Sequence, residues 1–319
     1  MVTIVKISKD NESCQQIIDM SVVAQVVRSK IVLLIHKFFF ENNFMLVDPP
    51  ILHEHIPHKK HEIYLPLDEN QYSLNSSNAL YMAAYSSVFE RVYAISPTFR
   101  DEQESINHLV EFRMLEVEVQ DMTYCELPDF IEQFLLYIVS GLEVLPELQK
   151  IPMVIKRIKI IRDNFSFHKI PYRSFLDKLR NNGYLISDEV DLSDIDHIIS
   201  QYIDAPIFVV DYPKHLATWT AKVKKGSDMC AINLILPESY GELCEGCERT
   251  NDYVLLQHKI QCANINSLQW YLDAVKKIHK PRCGFGIGID RLVRWIIGAP
   301  QIKNTVFFSH TRPCSRRET

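Results

Sequence analysis

Glycine is scarce in this chain, with 9 in 319 residues, about half or less of the usual share. Long apolar runs are missing too. The run at residues 31–35 is broken by His36-Lys37 before Phe38-Phe39-Phe40, and no run comes near the roughly 20 residues that span a bilayer. The opening Met-Val-Thr-Ile-Val-Lys-Ile-Ser does not follow the basic, apolar, small-residue order of a secretory signal. Positive charge is not in excess either. The 35 basic and 40 acidic side chains leave a formal charge of −5, which argues against bulk attraction to a polyanion while leaving a local basic patch open. No internal repeat or low-complexity tract is found. Eight cysteines without a signal read as reduced thiols rather than a disulfide framework. With 47% hydrophobic and 24% charged residues, the expectation is a soluble cytoplasmic protein with a proper core, in one large domain or two modest ones.

The few glycines are unevenly spread. Gly241 and Gly246, then Gly284, Gly286 and Gly288, fall in two short C-terminal stretches. Glycine costs backbone entropy and is useful where a backbone approaches something closely, so a site is expected there. Upstream, a helix capped by Ser21 carries Val22, Val23, Val26, Val27, Ile31, Leu34, Ile35 and Phe38 at helical spacing. Residues 44–47 read as a strand ending at Asp48-Pro49-Pro50, and 51–70, rich in His, Lys and Pro, as a surface loop. Further helices are expected at 78–89, 128–142, 268–279 and 290–297. Strands are expected at 91–95, 111–120, 206–211, 219–224 and 229–236, with a polar loop over 97–102. From 147 to 204 the texture changes to short helices and turns, read as a peripheral insertion at about 145–205 in a single domain. Hairpin-like turns separate strands as often as helices do. That favours an α+β fold, an antiparallel sheet flanked by helices, over a doubly wound parallel one.

Two constellations carry chemistry. In Phe99-Arg100-Asp101-Glu102, followed by His108-Leu109-Val110-Glu111-Phe112, Arg and Glu alternate onto one face. A planar guanidinium can hold a phosphate bidentately, a carboxylate can accept from an amine, and a loop histidine can reach a distal phosphate. A solvated hairpin with a surface ion pair has the same pattern. In Gly284-Phe285-Gly286-Ile287-Gly288-Ile289-Asp290-Arg291-Leu292, a strand lacking every second side chain runs into a helix. A flat ligand can lie on such a strand while Arg291 meets its anionic end; the alternative is a tightly packed strand–helix junction. The spacing is not that of a Rossmann turn.

These stretches, with Pro50 after a long helix and strand, resemble motifs 2, 3 and 1 of the class II aminoacyl-tRNA synthetases, asparaginyl and aspartyl branch. Arg91-Val92-Tyr93, Tyr212-Pro213-Lys214, Gly241-Glu242-Leu243 and Ile302-Lys303-Asn304-Thr305-Val306-Phe307-Phe308 also look like the asparaginyl enzymes. The resemblance implies the class II catalytic core, with an antiparallel sheet of about six strands and a homodimer formed through motif 1. It implies that Arg100 binds the α-phosphate of ATP, that Glu102 contacts the adenine amine and Phe112 stacks on the ring, and that His108 and Arg291 hold the β- and γ-phosphates. Glu242 would bind magnesium, with Asn233 and Cys247 at two further metal-contacting positions. Glu116 would take the substrate's α-ammonium, Ser77 would be substrate-binding, and Arg249 would read the side-chain carboxylate or amide.

The departures from that pattern are specific. A substrate-binding glutamine falls on Ala79, an aspartyl-type lysine on Met82, a metal-binding aspartate on Asn233 and a metal-contacting serine on Cys247. The loop between Glu102 and His108 is slightly short, and Asn107 stands where an arginine often lies. A helix beginning near residue 21 leaves no room for an anticodon-binding domain before it, so a core without that module is expected. Cys244 and Cys247, with Cys262 and Cys283, invite a zinc reading, but the irregular spacing favours packed reduced thiols. His53, His55, His58 and His61 read as decoration of a loop, and Lys156, Arg157 and Arg162 as a solvated basic face. The expected function is an ATP-dependent, AMP-forming ligase that adenylates an aspartate- or asparagine-like carboxylate. Ammonia or a small amine would receive the acyl group, as in the synthetase-related asparagine synthetases. Two alternatives stand beside it: a truncated asparaginyl-type enzyme charging tRNA or a carrier, and a non-catalytic paralogue that binds a partner or senses an amino acid.

Overall fold

Helix α1 (Glu12–Glu41) buries Ala24, Val27, Ile31, Ile35 and Phe38, the three-and-four spacing of one helical face. The computed structural model describes residues 12–54, 62–67, 70–102, 105–164, 166–192, 195, 199–224, 226, 228–262 and 266–309; His55, His58 and His61 lie outside them. After α1, Asn43 adopts a left-handed conformation (φ 60°) and turns the chain into β1 (Met45–Leu46).

The stretch read as a loop over 51–70 instead holds β2 (Leu52–Glu54), β3 (Tyr64–Leu67) and β4 (Asn70–Leu74), in a small antiparallel sheet of order β2-β4-β3. Its polar composition hid strands whose stability comes from cross-strand partners rather than their own hydrophobicity. Helix α2 (Ala79–Phe89) leads to β5 (Arg91–Phe99), which runs four residues beyond the expected 91–95. Pro97 sits in it without penalty because β1 pairs β5 only at Val92 and Tyr93. On that side the strand is an edge by residue 97 and needs no amide donor there.

Next come β6 (Glu111–Gln120), α3 (Leu127–Glu143), α4 (Pro152–Asp163), β7 (His168–Pro171), α5 (Tyr172–Asn181) and β8 (Ile207–Pro213). They are followed by β9 (Asp228–Leu236), β10 (Gly241–Glu248), α6 (Tyr253–Cys262), α7 (Gln269–Val275), β11 (Arg282–Gly288) and α8 (Ile289–Ile297). The strand expected at 219–224 is absent. Only isolated bridges form there, Ala221 to Arg249 and Val223 to Met229, because β9 already has β8 and β10 on its two edges. The helix expected over 268–279 is shorter, with α7 ending at Val275.

The main sheet has eight strands in the order β1-β5-β6-β11-β10-β9-β8-β7. Six central strands are antiparallel, and β1 and β7 add in parallel at the two ends. The segment 145–205 joins this architecture directly: β7 extends the sheet, and Val154, Ile155, Ile158 and Ile161 of α4 belong to the main core. That core lies between one face of the sheet and α1, α3, α4 and α8. The other face is apolar towards β8, where α5 packs, and a third cluster joins α2, α6 and α7. Between them, over β6, β11 and β10, it is polar. Among the described residues, no helix is long and apolar enough to cross a membrane.

Asp290, in the first turn of α8, ties the layers together. It is 2% exposed, takes the amide of Arg113 in β6 at 2.8 Å and pairs with Arg28 of α1. Removing one partner of a buried pair leaves an uncompensated charge. Asp290→Ala should therefore lower the unfolding free energy by about 3 kcal/mol, read as the midpoint shift in urea.

Candidate active site

Strand alternation builds the site. Glu116 and Glu118 on β6 stand opposite Gly286 and Gly284 on β11. These glycines in turn face Glu245 and Cys247 on β10, and Glu245 faces Asn233 on β9. All these side chains therefore share one face. Glu242 lies three residues from Glu245 and would point the other way in a regular strand. A register shift between Glu242 and Cys244 resets the phase, as a bulge does, and brings Glu242 round to the same face. Above it lies an open cleft.

One end of the cleft is rich in donors. The Arg100 guanidinium stacks 5.4 Å from the centre of the Phe112 ring, donates to the Ser76 carbonyl at 3.4 Å and stands 3.9 Å from Glu102. His108 is 2.7 Å from Ser105 Oγ through Nδ1, and its Nε2 is 3.7 Å from Glu102 and 3.1 Å from Arg291 Nη2. Arg291 also donates to the backbone carbonyl of Glu242. Two guanidiniums and an imidazole thus converge where Glu102 is the carboxylate among them. Such an arrangement suits a polyanion, with an aromatic ring and a carboxylate beside it for a base.

The middle of the cleft holds a fixed carboxylate. Glu116 accepts from Ser77 Oγ at 2.9 Å and from the Asn78 amide at 2.8 Å through one oxygen, and from Asn78 Nδ2 at 2.9 Å through the other. Asn78 is itself braced by Ser96 at 2.7 Å. Ala79 and Met82 line the cleft beside them.

The far end is an ionic cluster. Glu118, wholly buried, takes Arg282 Nη1 at 2.7 Å on one oxygen, and Arg249 Nε and Nη2 at 3.4 and 3.3 Å on the other. Arg249 Nη1 also donates to Thr220 Oγ1 and Cys247 Sγ, each at 3.1 Å. A Cβ on Gly284 would overlap Glu118 Oε2 and the Arg249 guanidinium, so only glycine leaves room for the pair. The sequence reading missed Glu118, Arg282 and Asn78. A period of two would have found the first pair, since Glu118 follows Glu116 and Arg282 precedes Gly284 on the same face.

Of the expected metal set, Asn233 and Glu242 meet, while Cys247 stands apart from them. The Asn233 side-chain amide donates to Glu242, replacing a pair of carboxylates that would call for a cation. Cys247 belongs to the far end instead, where burial pushes its thiol up to about 11 and Arg249 contacts it. Magnesium wants several oxygen ligands. Among the described residues, no group of three or more His, Cys, Asp or Glu could hold a metal ion. The four cysteines of the zinc reading do not meet: Cys244 and Cys283 sit in the main core, Cys247 on the opposite face, and Cys262 is exposed on α6. His53 is buried against Tyr81, with ring centres 4.6 Å apart. Arg157 and Arg162 are not merely solvated but paired with Glu238 and Glu143.

Two substitutions check this geometry. Gly284→Ala should overpack the cluster and cost about 1–3 kcal/mol, measured by chemical denaturation. Asn233→Asp sets a second carboxylate beside Glu242 and should tighten Mg²⁺ binding about tenfold, measured by calorimetric titration of the metal into the protein. An unaltered titration would show that Asn233 does not limit the affinity.

The family model of class II tRNA synthetases (D, K and N) matches residues 19–312. Among solved structures, the asparaginyl-tRNA synthetase of Pyrococcus horikoshii complexed with asparaginyl-adenylate is similar at 26% identity and a TM-score of 0.83, over 92% of this chain and 69% of that one. The Entamoeba histolytica asparaginyl-tRNA synthetase in complex with asparaginyl-adenylate shares the fold at 20% identity and a TM-score of 0.79, over 97% of this chain and 73% of that one. The chain belongs to the class II tRNA synthetases of the D, K and N group, and its fold is their catalytic core.

Proposed function

We propose that the protein is an ATP-dependent, AMP-forming ligase that adenylates an aspartate- or asparagine-like substrate and passes the acyl group to ammonia or a small amine. One observation carries the reading: a single cleft sets a donor-rich wall, Arg100, His108 and Arg291, beside the fixed carboxylate of Glu116. A zwitterionic amino acid held by its ammonium at Glu116 would turn its carboxylate towards phosphates held on that wall. A carboxylate oxygen then attacks the α-phosphorus and pyrophosphate leaves. Arg100 stabilises the charge that develops, and positioning supplies the rest. The amine lone pair next attacks the acyl carbon, the carbon–oxygen bond to phosphate breaks, AMP departs and the nitrogen sheds a proton. No step is assigned to magnesium; Glu242 and Asn233 are the residues that would hold it, and when bound it would neutralise phosphate charge. The asparaginyl-adenylate named in the two similar structures supports the first half of this scheme.

Transfer to tRNA is the second reading, favoured by family membership. Against it stands the formal charge of −5, which leaves weak backbone attraction for a polyanion, lost quickly with salt. A homodimer through α1 and β1 fits the exposure of Leu33, Phe40, Met45 and Leu46, a larger apolar display than scattered surface residues explain.

Arg100→Ala and Arg291→Ala should each slow ATP–pyrophosphate exchange by roughly tenfold to over a hundredfold, the range expected for losing a charge-assisted contact. Parent-like exchange in both would defeat the activation reading. With ammonium and tRNA supplied together at physiological salt, amide and AMP should accumulate and tRNA should change neither rate nor product. Acylated tRNA without consumption of the amine would overturn the proposed acceptor.

A further inference from the structure

Arg291 and Arg294 stand three residues apart on α8, so their side chains leave the helix on neighbouring faces. Arg291 lines the cleft, where it meets His108 at 3.1 Å and donates to the Glu242 carbonyl. Arg294 lies behind it, 3% exposed, and holds the chain next to both of those residues. Its Nη1 donates to Asn107 Oδ1, one residue before His108. Its Nη2 donates to the Pro300 carbonyl at 2.8 Å and the Ser239 carbonyl at 3.5 Å, and its Nε to the Ala299 carbonyl at 3.2 Å. The guanidinium also stacks 5.1 Å from the centre of the Tyr240 ring, two residues before Glu242. Helix α8 ends here at Gly298, in the left-handed conformation (φ 70°), and a helix C-terminus favours a cation. A planar fork of donors spans acceptors from three segments, which a lysine ammonium does not.

The loop before β6 depends on this contact. Ser105 and Ile106 are exposed, yet Asn107 between them and His108 is buried. Buried amides need hydrogen bonds, and Arg294 supplies one. A second tie runs from the Ile302 amide to the Ile106 carbonyl at 2.9 Å. Ser105 Oγ accepts from the Asn107 amide at 3.1 Å and meets His108 Nδ1 at 2.7 Å, so residues 105–108 move as a unit. Phosphates in the cleft compete for the donors of Arg291, which then leaves His108 and the Glu242 carbonyl. We propose that Arg294 is a positioning residue for this end of the cleft: through Asn107 it keeps the loop, and with it His108, seated when a ligand draws Arg291 away. The proposal rests on reading this end as the nucleotide phosphate site. A loop seated for only a fraction of the time weakens apparent affinity by that fraction.

The test uses Arg294→Met, Asn107→Ala and the double variant in the full chain. Amide hydrogen exchange over 105–110 is followed without ligand, ATP is titrated calorimetrically, and ATP–pyrophosphate exchange gives KM and kcat. Each single variant should speed hydrogen exchange in the loop and weaken ATP about tenfold, with kcat at saturating ATP within about twofold. The double variant should be no worse than either single one, because both remove the same bond. General destabilisation would leave the ATP affinity of the folded protein unmoved. Should Arg294→Met not fold, Asn107→Ala, on the loop and outside the main core, carries the test. Parent-like hydrogen exchange and ATP affinity in Asn107→Ala, additive losses in the double variant, or a fall in kcat with KM unchanged would each overturn the proposal. A parent that binds ATP without exchanging pyrophosphate would sink the activation reading, while loop protection and ATP affinity still decide this one. A parent that exchanges, with variants that match it, would sink this proposal and leave activation standing.

Discussion

The site depends on a steric constraint: β11 carries no side chain where β6 and β10 need space. Glu116 and Glu118 stand two residues apart on one strand, and like charges this close need room and partners. Gly286 and Gly284 opposite them supply the room. The partners then come from elsewhere, Ser77 and Asn78 for the first carboxylate and Arg249 and Arg282 for the second. The other face of the same strands carries Leu115, Val117, Phe285 and Ile287 into the main core. Burial of that apolar face holds the strands in register, and the register sets the charges.

Along the cleft, charge is ordered rather than merely abundant. Donors gather at one end, a carboxylate waits in the middle, and two arginines flank one buried carboxylate at the far end. Such an order matches a ligand pair carrying phosphates, an ammonium and a distal polar group, in that sequence. Contacts within the protein already hold these side chains in place. The Asn233–Glu242 hydrogen bond is the exception in kind. It neutralises a position where a second carboxylate would have invited a cation.

The outer elements serve this arrangement. Asp290 joins the strand–helix turn to both α1 and β6, so Arg291, its neighbour, is aimed at His108 from a fixed base. The β10 bulge brings Glu242 to the cleft face without moving Glu245 off it. Segment 145–205 contributes an edge strand and part of the main core, which gives the far side of the sheet its support.

Much was legible in the residues alone. The bounds of β6, the periodic face of α1, the amphipathic α3 and the glycine-alternating β11 follow from patterns within a few residues, because strand and helix periods are local properties. Arg100, Glu102, His108, Phe112 and Arg291 were singled out through their resemblance to the motifs of a known family, and that family is the one that matches. The tertiary structure alone decided what lies across the sheet. Glu118 and Arg282 are 164 residues apart, and their meeting depends on strand order and register, which no local period encodes. That Cys247 lies against Arg249 was likewise not legible, since its surroundings come from three strands at once. The strands in 51–70 stayed hidden because each is held by its neighbours rather than by its own composition, and pairing is a property of the folded chain.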